Sequence, residues 1–181
     1  SALLHLHRQE DQRPDDGDRT YELTQTAQQL SGSHKVHDSS SNRCREVAQI
    51  LWAAQGISDR RPERFRTAPS AGALYPLDVY LAAGEIAGLP TGVYLYDPRD
   101  HAIERVAPGD RRRQLSDAAL GQGWIRTAAA VIVLTAVFRR TMRKYGQRGR
   151  RYVYLEAGHA AQNVYLQAAS LGLGTTTVGA F

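Results

Sequence analysis

The chain has 181 residues, of which 42% are hydrophobic and 23% charged, which suits one globular domain rather than two. Its net charge of +5 comes from 23 Lys and Arg against 18 Asp and Glu. The basic residues lie in short runs without interleaved stacking aromatics or a nucleic-acid-reading motif, so nucleic acid is not the expected partner. A phosphate-bearing small molecule is compatible with this charge.

Cysteine content and hydropathy exclude further classes of protein. Cys44 is the only cysteine, which excludes an internal disulfide and a zinc site built from several cysteines, and fits a reducing cytoplasm. No run approaches the ~20 apolar residues of a membrane span, so we expect a soluble protein. Residues 1–18 are polar and are predicted to form a poorly ordered arm before a single domain at 19–181.

The first elements are predicted from periodicity and capping residues. A short helix is predicted at 20–30, followed by a polar linker at 31–42. An amphipathic helix is predicted at 43–55, with Asn42 as N-cap and Gly56 as C-cap. Its apolar stripe, at steps of three and four residues, consists of Val47, Ile50, Leu51 and Ala54.

Strands and helices then alternate. Strands are predicted at 77–83, 92–97, 102–107, 128–138 and 175–178, and helices at 110–120 and 152–171. The second and third of these strands flank turn residues and form a hairpin. The run 128–138 is almost continuously apolar, which predicts a strand buried on both faces in the middle of a sheet. The order of elements indicates a mixed α and β fold without a Rossmann or P-loop turn.

Small residues bracketed by prolines fill the segment 66–76, just before a strand. Such a segment lets the backbone approach a flat ligand, with amide N–H groups and the Ser70 hydroxyl facing an anion or a heterocycle edge. Arg66 can meet a phosphate through two parallel hydrogen bonds. The alternative interpretation is an ordinary turn.

Two further groups of residues could carry chemistry. Lys144 and Tyr145 are predicted in a loop before the longest helix, where they can act as general base and acid or simply form part of a solvated basic loop. Glu156 and His159 have the spacing found in helix-borne di-metal sites. Only one such pair is present, so no metal site is expected, and His159 is predicted to pack or to form hydrogen bonds.

Six motifs share an order and spacing with one known family. They lie at 51–57, 69–76, 88–94, 144–151, 156–163 and 171–181. Together they resemble the SagB-type branch of the nitroreductase-like flavoproteins over residues 47–181. The resemblance implies an α+β fold with a central, mostly antiparallel sheet flanked by helices. It also implies an obligate, intertwined homodimer with FMN at the subunit interface.

The resemblance also implies roles for individual residues. In the family, the segment matching Pro69, Ser70, Ala71 and Gly72 contacts the flavin. The turn matching Val178, Gly179 and Ala180 lies against the ring and offers backbone N–H near its reactive N5. The pair matching Lys144 and Tyr145 is the acid/base pair of the azoline oxidases, which takes a ring proton as hydride leaves for N5.

The sequence departs from the family in two places. Where relatives carry an arginine-rich segment that grips the FMN phosphate, the stretch 32–41 has His34, Lys35 and His37. Arg43, Arg45 and Arg66 are the candidates to replace it. The sequence also ends at 181, where relatives continue through a further helix and strand, so the domain is expected to lack the family's C-terminal end.

The expected function is FMN-dependent oxidation of thiazoline or oxazoline rings to azoles in a ribosomal peptide. One alternative is an NAD(P)H-dependent nitro- or quinone reductase, which needs the same flavin but no dedicated proton-removing pair. Another is a non-catalytic flavin-binding or scaffold partner of a peptide-cyclising enzyme, in a complex with a cyclodehydratase.

Overall fold

The computed structural model describes residues 4–5, 21–29, 40–59 and 65–180, with side chains at 44–59 and 65–180. The strands are β1 (Leu4–His5), β2 (Tyr21–Gln29), β3 (Leu77–Ala83), β4 (Gly92–Asp97), β5 (Ala102–Pro108), β6 (Ala130–Val137) and β7 (Gly174–Val178). The helices are α1 (Ser40–Gln55), α2 (Arg112–Ala118), α3 (Trp124–Thr127), α4 (Phe138–Tyr145) and α5 (Arg148–Ser170). A 3₁₀ turn covers Ala71–Ala73.

The strands form one sheet in the order β1-β2-β6-β3-β4-β5, and the described pairings are antiparallel. One edge of β2 pairs with β6, and its other edge pairs with two strands. β1 pairs with the start of β2, and β7 pairs with the rest. β6 lies between β2 and β3, and seven of its eight residues are buried. The prediction of a buried strand in the middle of the sheet is therefore confirmed.

Helices cover both faces of this sheet. Alternate residues of β6 point to opposite faces, as strand geometry requires. Ile132 and Leu134 join the larger core cluster, under α1, α4 and α5, whereas Val131 and Val133 join a smaller cluster under α2 and α3. The predicted stripe of α1 is buried in the larger cluster, so that prediction is also confirmed.

The helix predicted at 20–30 is wrong, because this segment forms strand β2. β2 pairs with β6 over eight residues and with β7 over five. Intrinsic helix preference differs among ordinary residues by at most ~0.7 kcal/mol per residue. Pairing at both edges outweighs it, and β2 covers what would otherwise be an exposed edge of an apolar strand.

Several boundaries differ from the predictions. α1 begins at Ser40, so Asn42 lies inside the helix instead of capping it. α2 is shorter than predicted, although the Asp110 side chain accepts a hydrogen bond from the Arg112 N–H (2.9 Å) as expected of a capping residue. α3 was not predicted. Of the arm predicted at 1–18, only β1 lies within the described residues. Of the linker predicted at 31–42, residues 31–39 lie outside them.

In the described part of the chain, no helix combines the length and the apolar character needed to cross a membrane.

Candidate active site

The register of two strands brings the predicted functional segments together. Leu77 at the start of β3 pairs with Ala136 near the end of β6, and the Val137 N–H donates to the Pro76 carbonyl (2.8 Å). The loop before β3 and the helix after β6 therefore lie at the same end of the sheet. That loop holds the proline-bracketed segment, and that helix, α4, holds Lys144 and Tyr145.

The loop is fixed to helices at both sides. Thr67 donates its N–H to the Gly56 carbonyl (2.9 Å) at the end of α1, and its hydroxyl donates to the Trp52 carbonyl (3.0 Å). From α5, the Asn163 amide donates to the Thr67 carbonyl (3.1 Å). Three hydrogen bonds at one residue therefore hold the loop between α1 and α5.

The loop then turns through left-handed backbone. Gly72, Ala73 and Tyr75 have φ angles of 64°, 53° and 45°. Such angles cost a non-glycine residue on the order of 1–3 kcal/mol and cluster at functional sites. The Ser70 hydroxyl accepts a hydrogen bond from the Tyr75 N–H (2.9 Å), which closes the turn.

An open cleft of about 510 Å³ lies against this turn. Its volume falls in the range of small-molecule and cofactor sites. The residues around it are Phe65, Arg66, Thr67, Pro69, Ser70, Gly72, Ala73 and Tyr75. The predicted cofactor residues Arg66, Pro69, Ser70 and Gly72 are thus gathered around one opening, with the half-buried Ala71 in the same turn.

Lys144 and Tyr145 reach the same turn from α4. A Cβ placed on Gly72 would stand 2.8 Å from the Tyr145 hydroxyl and 2.9 Å from Lys144 Nζ. The Tyr145 ring packs edge-on against Tyr152 at 5.1 Å. The prediction that this pair lies in a loop is wrong: both residues form the last turn of α4, where positive side chains are favoured by the helix dipole.

Arg66 is held at the cleft by three contacts. Its Nη1 donates to Gln55 Oε1 (3.0 Å), its backbone N–H donates to the Tyr75 hydroxyl (3.2 Å), and its guanidinium lies 4.5 Å from the centre of the Tyr75 ring. Partial burial lowers the Arg66 pKa from its usual value, and nearby Tyr75 and Glu156 oppose that shift. The arginine is fixed in place while part of its side chain still lines the cleft.

Glu156 is a buried carboxyl group behind this arginine. It is only 2% exposed, and Gln55 Nε2 approaches its Oε1 at 3.5 Å. Burial raises its pKa from 4.5 to about 7, against the opposing effects of hydrogen bonds from Ser70 and Gln55 and of the charge on Arg66. Glu156 thus contacts Gln55, whose amide oxygen accepts a hydrogen bond from Arg66 of the cleft.

The metal-type spacing of Glu156 and His159 has no structural counterpart. His159 is exposed on α5, whereas Glu156 is buried, so the two side chains face different surroundings. That His159 packs or forms a hydrogen bond stays a prediction. No group of three metal-ligating side chains occurs among the described residues.

The turn predicted to contact the flavin, formed by Val178, Gly179 and Ala180, does not lie at the cleft within a single chain. Val178 is buried in the smaller cluster under α2 and α3, and the Thr177 N–H next to it donates to the Tyr165 hydroxyl of α5 (2.6 Å). Gly179 and Ala180 are exposed. The residues around the cleft do not include these three.

Gln55, Tyr75, Glu156 and Asn163 were not predicted as site residues. Glu156 and Asn163 are seven residues apart, which places them on one face of α5. The sequence did contain a signal for these two residues. A carboxyl group and an amide lie on a helix face that is otherwise apolar, which indicates buried polar groups with a specific role. Gln55 is the last residue of α1 and comes directly after Ala54, where the apolar stripe ends.

The fold and the cleft define the class of protein. An antiparallel sheet with helices on both faces matches the nitroreductase-like fold, and a crystal structure of an Anabaena variabilis protein named as a nitroreductase superposes with a TM-score of 0.68. That match has 29% identity and covers 75% of this chain and 29% of the other. The predicted fold class is confirmed.

Residues 45–181 match the sequence profile of the Nitroreductase family, and the chain belongs to this family, whose members are oxidoreductases that typically bind flavin. It is 49% identical over 149 residues to MJ1384 of Methanocaldococcus jannaschii, a protein named as a nitroreductase, covering 82% of this chain and 74% of MJ1384.

Relatives that process peptides are more distant. The microcin B17-processing protein McbC of Escherichia coli is 32% identical, over 71% of this chain and 49% of McbC. This chain therefore spans about half of that relative's length. A chain of the E. coli microcin synthetase McbBCD complex with truncated pro-MccB17 bound superposes with a TM-score of 0.56 and 25% identity, covering 80% of this chain and 63% of the other.

Proposed function

We propose that this nitroreductase-family chain is an FMN-dependent enzyme that oxidises thiazoline or oxazoline rings in a peptide to azoles. The observation that carries the proposal is the position of Lys144 and Tyr145 at Gly72, on the border of the cleft. A simple flavin reductase needs no amine and phenol at this place. The similarity to McbC, a microcin-processing protein, supports a peptide substrate.

The cleft fits a flavin. No large side chain lies at 69–73, so a flat ring can approach the backbone there, and the absence of a Cβ at Gly72 lets the ends of Lys144 and Tyr145 come close to the same backbone. Arg66 offers a guanidinium and Ser70 a hydroxyl to the polar edges of the ligand or to its phosphate. Val178, Gly179 and Ala180 would complete the site as the family resemblance implies. Bound flavin would supply the hydride-accepting chemistry that amino acids lack.

The residues of the chain supply proton transfer and orientation. Aromatising an azoline ring removes one hydrogen as hydride and one as a proton. Lys144 Nζ or the Tyr145 oxygen takes the proton as the hydride leaves from the neighbouring ring carbon. Packing of the Tyr145 ring on Tyr152 limits the movement of the phenol, which helps to keep the acceptor in place.

The first test is direct flavin binding. The purified protein, alone or after addition of FMN, is expected to show the visible absorption bands of a bound flavin, and to quench FMN fluorescence at a one-to-one ratio. An absence of both signals after FMN is added would contradict the proposal.

The similarity to MJ1384 favours a second candidate function, an NAD(P)H-dependent nitro- or quinone reductase. This activity predicts rapid flavin reduction by NADPH without any azoline. The match to a chain of the McbBCD complex favours a third, a non-catalytic partner in a cyclodehydratase complex. That role predicts co-elution with the partner and no azoline turnover.

We further propose that the protein is a homodimer that pairs through one face of α5. Leu155 and Leu166 are 53% and 61% exposed, and they lie three helical turns apart on the same face, with exposed His159 and Gln162 between them. Contiguous exposed apolar surface marks protein interfaces, and these two leucines are the large apolar side chains that α5 leaves exposed.

Replacing both leucines of this face, Leu155→Glu and Leu166→Glu, is expected to convert a dimer into a monomer, as measured by light scattering on a sizing column. Leu120→Glu is the matched control, because Leu120 is 74% exposed but lies on the other face of the sheet. An unchanged mass in the double variant would exclude this face as the interface.

A further inference from the structure

One side-chain amide separates the buried carboxyl group from the cleft arginine. Gln55 comes from the last residue of α1, Glu156 from the middle of α5 and Arg66 from the loop. Gln55 Nε2 faces Glu156 Oε1 at 3.5 Å, and Gln55 Oε1 accepts from Arg66 Nη1 at 3.0 Å. Gln55 is itself completely buried, so its amide has no water to turn to.

The chemistry of these groups fixes which end of the amide faces which neighbour. An ionised carboxylate only accepts hydrogen bonds and a guanidinium only donates them. An ionised Glu156 therefore requires the amide nitrogen, which leaves the amide oxygen for Arg66. A protonated Glu156 no longer requires the amide nitrogen, because its own hydroxyl can donate to the amide oxygen. The carboxyl group then competes with Arg66 for the acceptor that holds the arginine.

We propose that Glu156 is a positioning residue that holds Arg66 at the cleft through the orientation of the Gln55 amide. The Ser70 side chain, which also lines the cleft, lowers the pKa of the same carboxyl group, so Glu156 is close to a second polar residue of the cleft wall. The inference deepens the flavin site proposed above and rests on it for its functional consequence. Glu156 does not touch the reacting atoms.

We call the chain of contacts from Glu156 through the Gln55 amide to Arg66 the relay. Ionisation of Glu156 near neutral pH makes the relay measurable. Because burial raises the Glu156 pKa to about 7, its charge changes across neutral pH. The other titratable or charged groups that act on Arg66 or on Glu156 are Tyr75 of the loop, Asp78 of β3, Tyr96 of β4 and Arg140 of α4. Burial raises the Tyr96 pKa to about 12, so this phenol stays protonated throughout that range.

The folded state therefore binds one more proton at Glu156 than the unfolded chain between pH 4.5 and about 7. Its contribution to the free energy of unfolding falls as the pH rises through this window. We therefore expect the Gln55 amide to hold the Arg66 guanidinium less firmly at the low end of this window than at the high end.

The experiment follows Arg66 and flavin binding separately. In the apo-protein, the ¹⁵N–¹H signal of the Arg66 side chain is expected to shift with pH around 7 in the wild type and to stay constant in Glu156→Gln. Because the phosphate of FMN titrates near pH 6 itself, affinities are compared between the two proteins at each pH. At pH 8, Glu156→Gln is expected to bind FMN about tenfold more weakly, as for the loss of one charge-assisted hydrogen bond.

Two further variants make the outcome decisive. Glu104→Gln removes the same charge at an exposed site on β5 and should change neither signal. Gln55→Leu removes the relay but keeps the carboxylate, and should match Glu156→Gln in FMN affinity. A weaker affinity for riboflavin as well would place Arg66 at the ring, and a loss confined to FMN would place it at the phosphate.

A wild-type Arg66 signal that does not respond around pH 7 would overturn the relay, whatever the flavin result. A responsive signal without any flavin binding would leave the relay intact and contradict the proposed function instead.

Discussion

Replacing Lys144 with alanine, or Tyr145 with phenylalanine, is expected to lower azoline oxidation by about 10²- to 10⁴-fold, the usual contribution of a positioned general acid or base. FMN affinity should stay nearly constant, because the bonds that hold Arg66 and Ser70 involve neither residue. Turnover is measured by mass spectrometry as the loss of two hydrogens from a short peptide that carries a thiazoline.

Arg143→Ala is the matched control for this pair. Arg143 is an exposed basic residue in the same last turn of α4, so its replacement removes equal charge from the same helix end. It should reduce turnover only slightly. Full activity in both Lys144→Ala and Tyr145→Phe would show that the proton leaves by another route, and rapid NADPH oxidation by those variants would favour the reductase.

The second large effect is expected from Gly72→Ala. The new Cβ would stand 2.8 Å from the Tyr145 hydroxyl and 2.9 Å from Lys144 Nζ, closer than such atoms can remain. Both contacts are with the ends of side chains, which can move aside, so the fold should survive. The proposed catalytic atoms move with them, and a displacement of about 1 Å can cost about 10²-fold in rate.

Gly109→Ala separates this displacement from simple backbone strain. Gly109 also has a left-handed φ, of 81°, but a Cβ there meets nothing within 4 Å. Both variants should lose a similar amount of stability in chemical denaturation, about 1 kcal/mol. Only Gly72→Ala should lose most of its azoline turnover. Equal activities would show that the cleft tolerates the methyl group and that the pair does not act at this turn.

Local patterns were sufficient for the elements that have a strong period or a clear boundary. β3 and β4 have the predicted bounds, because Pro76 precedes the first and turn residues follow the second. The continuous apolar run of β6 could be predicted as central because such a strand must be covered on both faces. The stripe of α1 repeats at the helical period and is buried as expected.

Contacts between distant residues decided what the sequence could not reveal. β2 has no strong period of its own and becomes a strand through pairing with β6, more than a hundred residues later. The position of Lys144 beside Gly72 follows from the register of β3 and β6, which no local pattern encodes. The hydrogen bond between Gln55 and Glu156 likewise joins residues 101 positions apart.

The separation of the core into two clusters gives the molecule a side that lies away from the cleft of the same chain. The helices α2 and α3 pack on the sheet face opposite the one that carries α1, α4 and α5. A fluorescent label at exposed Gln114 of α2, or a stabilising substitution near it, would therefore act on folding while leaving the cleft of that chain undisturbed. That side is the natural place to attach the protein to a surface or to a reporter when turnover is to be followed.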